Sequence, residues 1–304
     1  MIKEFSDIYA LLAGSKPRRA AVAAANDEDI LAAVKEASER NIIIPILLGS
    51  RKKIEAVLEK LSYDFHGEII DIEGDNETAE KAVQIISSGK ADILVKGFLA
   101  SSILMKAVLH KEWGLRSGHL LSHIGYIQPQ NLKKIIMITD SGMNILPDLN
   151  EKKAILENAV EVAHYMGIET PKVAVLSTVE TVNPAIQSTM DAAILTMMNK
   201  RGQIKGCLVD GPLAMDNAIN KEAARHKGIE SEVAGDPDII LVPNLETGNS
   251  VYKALHYYSD AKFAGTIAGA SAPIVLTSRS DSAGTKLNSI ALSAYISLKK
   301  GVKP

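Results

Sequence analysis

The chain has 304 residues and 46% hydrophobic content, enough for two lobes or one large α/β domain with a real core, which excludes an intrinsically disordered chain. A formal net charge of −2 and 4% aromatic content leave neither a basic field nor a stacking platform, so nucleic acid is not expected as a partner and a small molecule is. The single cysteine, Cys207, excludes an intrachain disulfide, "MIKEFSDIY" is not a secretory signal, and no run approaches the roughly 18 apolar residues of a membrane span, so a cytoplasmic protein is expected.

Short apolar, β-rich runs alternate with amphipathic stretches, the pattern of strands buried on both faces and joined by crossover helices. "RAAVAAA" predicts a strand. Asn26 is expected to cap the next helix, whose first turn holds Asp27, Glu28 and Asp29 and whose inward stripe is Ile30, Leu31, Val34 and Ala37. "IIIPILL" predicts a strand in which Pro45 calls for an edge or a bulge. Ser50 caps a helix with Ile54, Val57, Leu58 and Leu61 on one face, "EIIDI" is a strand, "NETAEKAVQIISSG" is a helix ended by Gly89, and "ADILVKG" is a strand running into a loop.

In "KKIIMITDSGMNILPD" Gly, Asn and Pro break the pattern before a long helix at about 150–166. This predicts a lobe boundary, with 1–138 and 276–304 forming the first α/β lobe and 139–275 a second lobe inserted into it. Beyond it "KVAVLST", "GCLVDG", "DIILVPN", "FAGTI" and "APIVL" are strands, with helices at about 184–200, 216–226, 248–258 and 284–300. The last helix has Leu287, Ile290, Ala291, Ala294 and Leu298 at helical spacing, a packing stripe.

Open α/β sheets bind ligands outside the carboxyl ends of their strands, so the loops there carry the information. Several are unusually polar: Lys96, Gly97 and Ser101 after "DILV"; Asp140 and Asn144 after "IIMIT"; Thr178 after "VAVLS"; Asp210 and Asp216 in "DGPLAMD"; Asn244, Gly248 and Asn249 in "PNLETGN". The densest is "TSRSDSAGTK", with Ser278, Arg279, Asp281 and Lys286. Hydroxyls, glycines and helix N-termini supply donors to an anion, and Arg279 adds a fork that grips phosphate through two bonds. Taken singly these are also ordinary turn residues: Asp216 suits a helix cap, Gly248 and Asn249 a turn, and Ser278 to Asp281 a surface turn with an Arg–Asp pair worth roughly 0.2 to 1 kcal/mol.

Other chemistries lack their residues. There is no GxxxxGK[ST] loop and no GxGxxG after the first strand, which disfavours P-loop phosphoryl transfer and a nicotinamide site. His119 and His123 are four apart without an intervening Glu, so they read as core or interface residues and no metal is expected. Cys207 reads as a small buried hydrophobe.

The ordered segments "DGPLAMDNA", "AGDPDIILVPNLETGNSVYKAL" and "FAGTIAGASAPIVLTSRSDS" resemble the phosphate acetyl/butyryltransferases, with "LVKGFLAS" and "ITDSGMN" similar to two earlier loops of that family. The resemblance covers most of the chain, is densest over about 172–292, and is closest to the butyryl branch. It implies an α/β, two-lobed fold like the isocitrate and isopropylmalate dehydrogenases, with mostly parallel sheets and an inter-lobe cleft holding the site. It also implies reversible transfer of a short acyl group between coenzyme A and orthophosphate by a homo-oligomer, with coenzyme A as substrate or product and no permanently bound cofactor. Ser278 and Arg279 match the family's S-R pair: Ser278 is implied to hydrogen-bond the reacting carbonyl or thiol, and Arg279 to bind phosphate.

Two positions depart from the acetyl branch. Its catalytic carboxylate falls near Thr285 and Lys286 here, which leaves Asp281 as the candidate base for the thiol. A second arginine is replaced near Tyr257, so phosphate must find Lys96, Lys286 or backbone donors. An acetyltransferase and a non-catalytic sensor of acyl phosphate or coenzyme A remain open on these residues, while a β-decarboxylating dehydrogenase lacks its acidic metal ligands.

Overall fold

The computed structural model describes residues 1–301. In chain order the elements are helix α1 (Phe5–Leu12), strand β1 (Arg18–Ala23), α2 (Glu28–Glu39), β2 (Ile43–Gly49), α3 (Arg51–Lys60), β3 (Glu68–Asp71), α4 (Asp75–Ser87), β4 (Ile93–Lys96) and α5 (Ser101–Val108). There follow β5 (Ser122–Gln128), β6 (Ile136–Thr139), α6 (Leu149–Tyr165), β7 (Lys172–Leu176), α7 (Gln187–Lys200), β8 (Leu208–Leu213), α8 (Met215–Ile219) and α9 (Lys221–His226). The chain continues with β9 (Ile239–Leu241), α10 (Leu245–Tyr258), β10 (Lys262–Ala268), β11 (Ile274–Val275) and α11 (Ala283–Gly301).

Contacts group these elements into two compact units, named here by sequence position: a terminal unit of Phe5–His119 with the chain from Phe263 onward, and a central unit of Leu120–Lys262 with Met1–Glu4. The passages between units fall at 4–5, 119–120 and 262–263, where the sequence pattern set two, at 138–139 and 275–276. Antiparallel pairing accounts for the difference: β5 lies along β6, and β10 lies along β11, so each strand stays with its partner.

In the terminal unit the strand order is β3-β2-β1-β4-β11-β10, parallel except at β10. The chain moves outward from β1 to β2 and β3, then returns to lay β4 on the other side of β1, so the order reverses between β1 and β4. In open sheets ligands bind at the carboxyl ends of the strands beside such a reversal. The strands are apolar on both faces, as the continuous hydrophobic runs require: Ala20 to Ala23, Leu47, Leu48 and Ile93 to Val95 are all buried. Helices α2 and α11 pack on each other, and α4 packs on β1, β2 and β4.

Pro45 is a correction. Strand β2 is flanked on both sides, yet no ladder bond is lost, because Ile42 accepts from Arg18 and the alternation turns position 45 away from β1. Strand β3 pairs only from Ile46 onward, so Pro45 stands beyond its end. The cap of α2 is Asp27 rather than Asn26, its Oδ1 accepting the Ile30 N–H at 3.1 Å. Ser50 holds the cap position of α3 without a side-chain bond, and the Arg51 N–H goes instead to Asp71 Oδ1 at 2.8 Å. Helix α1 was not anticipated, although Phe5, Ile8 and Leu12 form a buried helical stripe.

In the central unit the order is β5-β6-β9-β7-β8, parallel except for the β5–β6 pair. A reciprocal cap starts α6: Asp148 accepts the Glu151 N–H at 2.9 Å while Glu151 accepts the Asp148 N–H at 2.8 Å. The helix expected over 216–226 is broken in two, because Asn220 is extended and its side chain caps α9 through the Glu222 and Ala223 N–H groups. The chain over "DGPL", expected as a loop, continues edge strand β8 to Leu213. Among the described residues no helix is long and apolar enough to cross a membrane.

Candidate active site

Three neighbouring parallel strands of the terminal unit, β1, β4 and β11, end in the loops that carry "NDED", "KGFLAS" and "TSRSDS", at the reversal of strand order. Gly97 is what lets two of these loops touch. Its N–H donates to Ala23 O at 2.8 Å, and a Cβ there would lie 2.2 Å from Ala24 O and 2.6 Å from Ala23 O. Behind it α5 begins at Ser101, which is exposed at the helix N-terminus.

The turn after β11 is closed from within. Asp281, only 6% exposed, accepts the Ser278 N–H through Oδ2 at 2.7 Å, and its own N–H donates to Ser278 O at 3.2 Å. Lys286, buried on the first turns of α11, donates to the Asp281 carbonyl and lies 3.9 Å from Asp27 and 3.8 Å from Asp29. The turn therefore presents Ser278 and Arg279 outward. Ser278 Oγ shares a hydrogen bond with Ser280 Oγ at 3.0 Å. Arg279 is exposed, and its guanidinium sits 6.0 Å from the Phe98 ring. No described carboxylate pairs with it, so the surface Arg–Asp pair of a plain turn does not form.

Lys96 is 3% exposed at the end of β4, and its Nζ donates to two carbonyls, Thr277 O at 3.3 Å and Gly97 O at 3.4 Å. Burial pushes its ammonium down to about 8, with the neighbouring charges of Arg279 and Lys286 adding to the fall and Asp281 and Asp27 opposing it. Three cations, Lys96, Arg279 and Lys286, thus share one corner with three carboxylates, Asp27, Asp29 and Asp281, the last of them engaged by the turn. Asn26 Oδ1, in the adjoining loop, is buried without a hydrogen-bond partner.

The central unit gathers the other candidates. Asp140 is 2% exposed and its carboxylate accepts the N–H groups of Gly142 (2.8 Å), Met143 (2.9 Å) and Asn144 (3.3 Å) and the Asn144 side chain (2.6 Å). Asn144 Nδ2 also donates to Leu121 O at 2.9 Å. These two residues knit the loop after β6. Gly248 and Asn249, expected in a turn, lie within the first turns of α10, which Asn244 caps by accepting the Thr247 N–H at 2.9 Å. A Cβ on Gly248 would meet Asp140 O at 2.5 Å, and Asn249 Nδ2 donates to Ser141 O at 3.3 Å, so α10 is seated on that loop.

Thr178 and Asn244 line a cavity of about 700 Å³ with Leu146, Leu176, Pro243 and Thr247. Within its lining lies a pair that sequence spacing did not reveal: Lys152 Nζ and Asp191 Oδ2 are 2.6 Å apart, each side chain 6% exposed, with Gln187 donating to the other carboxylate oxygen at 2.8 Å. Asp210 is half-buried on β8 and its Oδ1 accepts the Gly211 N–H at 2.9 Å, outside that lining. His123 lies in β5, its Nδ1 2.8 Å from Ser141 Oγ, while His119 is exposed before the strand. Among the described residues no group of three His, Cys, Asp or Glu is placed to hold a metal.

Comparison with known proteins places the chain in a family. Residues 75–294 match the family described as phosphate acetyl/butaryl transferase. The chain is 46% identical to the phosphate butyryltransferase of Clostridium acetobutylicum over 99% of its own length and 100% of that protein's. A branched-chain phosphotransacylase from Enterococcus faecalis superposes with a TM-score of 0.79 at 31% identity, covering 91% of this chain and 99% of that one. The fold alone is shared with 4-hydroxythreonine-4-phosphate dehydrogenase from Klebsiella pneumoniae, at a TM-score of 0.54 and 10% identity over 92% and 99% of the two chains. This chain belongs to the phosphate acetyl/butaryl transferase family.

Proposed function

We propose that the protein is a phosphate butyryltransferase, moving a short acyl group between coenzyme A and orthophosphate in the cytoplasm as a homo-oligomer, with no permanently bound cofactor. One observation carries the reading: Arg279, on the turn that also presents Ser278, has no carboxylate partner among the described residues and stands beside buried Lys96 where the strand order reverses. Orthophosphate binds the exposed Arg279 guanidinium. A phosphate oxygen attacks the thioester carbonyl carbon, the carbonyl oxygen takes up negative charge, and the carbon–sulfur bond then breaks to release coenzyme A. Arg279 holds the phosphate through its planar fork, and Ser278 Oγ donates to the charged oxygen. Lys286 and Gly97 shape the anion's surroundings, and Ser101 adds a hydroxyl at the start of α5. Asp281 keeps the turn closed, which fixes where Ser278 and Arg279 point.

In the central unit Thr178 and Asn244 face a cavity of ligand size, and Asp140, Asn144, Gly248 and Asn249 hold the loop after β6 against α10. Acyl length is read by assay, since a methylene discriminates by only about 1 to 3 kcal/mol. The test is coenzyme A release from acetyl-, butyryl- and branched-chain acyl-CoA, with and without phosphate. Release that requires phosphate and favours four carbons is expected. Arg279→Ala should lower kcat/KM by about 10²- to 10³-fold, the cost of one preorganised donor to developing charge. Absence of phosphate-dependent release with every substrate would leave a binding protein rather than an enzyme.

A further inference from the structure

The carboxylate expected to serve the thiol, Asp281, is buried in the turn after β11, where one of its oxygens accepts the Ser278 N–H. The reaction still has a proton to move: orthophosphate enters carrying one, and coenzyme A leaves carrying one. Lys96 is the buried nitrogen of this corner whose partners are all neutral. Its two bonds, at 3.3 and 3.4 Å, are long for N–H···O and leave a third proton unassigned. The charged groups facing it are Arg279 and Asp281 on the turn, Lys286 on α11 and Asp27 at the start of α2.

We propose that Lys96 is the proton relay of the transfer, exchanging one proton between the coenzyme A sulfur and the phosphate through its Nζ. The inference rests on the acyl transfer proposed above. In the direction of acyl phosphate formation, the phosphate oxygen–carbon bond forms and the carbon–sulfur bond breaks. The Lys96 ammonium gives its proton to the departing thiolate, and the resulting amine recovers one from the attacking hydrogen phosphate. In reverse, the amine takes the thiol proton as sulfur attacks the acyl phosphate, and returns it to the departing phosphate. Neither direction needs another reactant. With burial holding it at about 8, the amine is close to the thiol it serves, about 8.5 in the free state, and transfer between matched groups is nearly balanced. Arginine could not take this part, because a guanidinium does not give up its proton in this range.

The experiment measures pH–rate profiles in both directions for the unaltered protein, Lys96→Arg and Lys96→Met, together with the phosphate KM of each. In the unaltered protein the rate with acyl-CoA and phosphate should fall above about pH 8, where the acid form is lost, while the rate with acyl phosphate and coenzyme A should fall below it. Lys96→Arg should keep the phosphate KM within about threefold, lower kcat by at least about a hundredfold and lose the alkaline fall. If Lys96→Arg retains both kcat and the alkaline fall, Lys96 is an electrostatic anchor and the relay is wrong. No phosphate-dependent turnover in the unaltered protein would sink the acyl-transfer reading itself. Should either variant fail to fold, the unaltered protein decides: ¹⁵N-lysine spectra must show one buried amine titrating near 8 that moves upward on phosphate addition, and a set of lysines all titrating near their ordinary values overturns the proposal.

Discussion

At the scale of single residues, Gly97 and Asp281 show how backbone and side chain divide the work of building the corner at the ends of β1, β4 and β11. Gly97 is there because backbone oxygens of Ala23 and Ala24 stand where a Cβ would go, and neither oxygen can rotate away. Gly97→Ala should therefore push the β4 loop off the β1 loop, costing about 1 to 3 kcal/mol as a small overpacking change does, and weaken phosphate binding. Urea unfolding and the phosphate KM read the two effects; an unchanged midpoint would mean the loops are not in this contact. Asp281 was legible as the acid next to the S-R pair, but its part was not. Whether that carboxylate faces a thiol, a guanidinium or an N–H three residues back depends on turn geometry, and the turn chose the N–H.

Elements show the same division between local signal and long-range pairing. The cap of α10 by Asn244 and the reciprocal cap of α6 rest on residue types at fixed spacing, although the pattern alone set the start of α10 three residues late. The bridge between α6 and α7 cannot, because Lys152 and Asp191 are charged residues that a helical pattern assigns to solvent, and their burial follows from how the two helices meet. Breaking it from one side leaves a buried charge. Lys152→Met should destabilise by about 3 to 5 kcal/mol, and adding Asp191→Leu should recover most of that loss, since a buried pair replaced whole by apolar groups is close to neutral. Denaturant midpoints of the two single variants and the double variant check this; equal midpoints for Lys152→Met and the unaltered protein would show the pair contributes nothing.

For the whole molecule, Cys207 reports on stability. Burial, helped by the Glu157 carboxylate, pushes its thiol up to about 11. The neutral thiol is thus favoured by the folded state, and its contribution is fully present below the unfolded value of about 8.5 and lost as pH rises through about 11. Alkylation at about pH 8 should be slow in the native protein and fast in denaturant, and the loss of stability above about pH 8.5 should be shallower in Cys207→Ala. Fast native alkylation would contradict the burial. By itself the sequence determined the α/β alternation, the buried parallel strands, the family through its ordered motifs, and the loops after the strands as the place for chemistry. These are local: hydrophobic period, cap chemistry and motif order are written in neighbouring residues. Only the tertiary structure decided that Lys96 meets the turn at Thr277, 181 positions away, that Lys286 faces Asp27, and that Asn144 joins Asp140 to the Leu121 carbonyl. The physical reason is that strand order sets which loops are neighbours, and a charged side chain's role follows from the partners and burial it finds there.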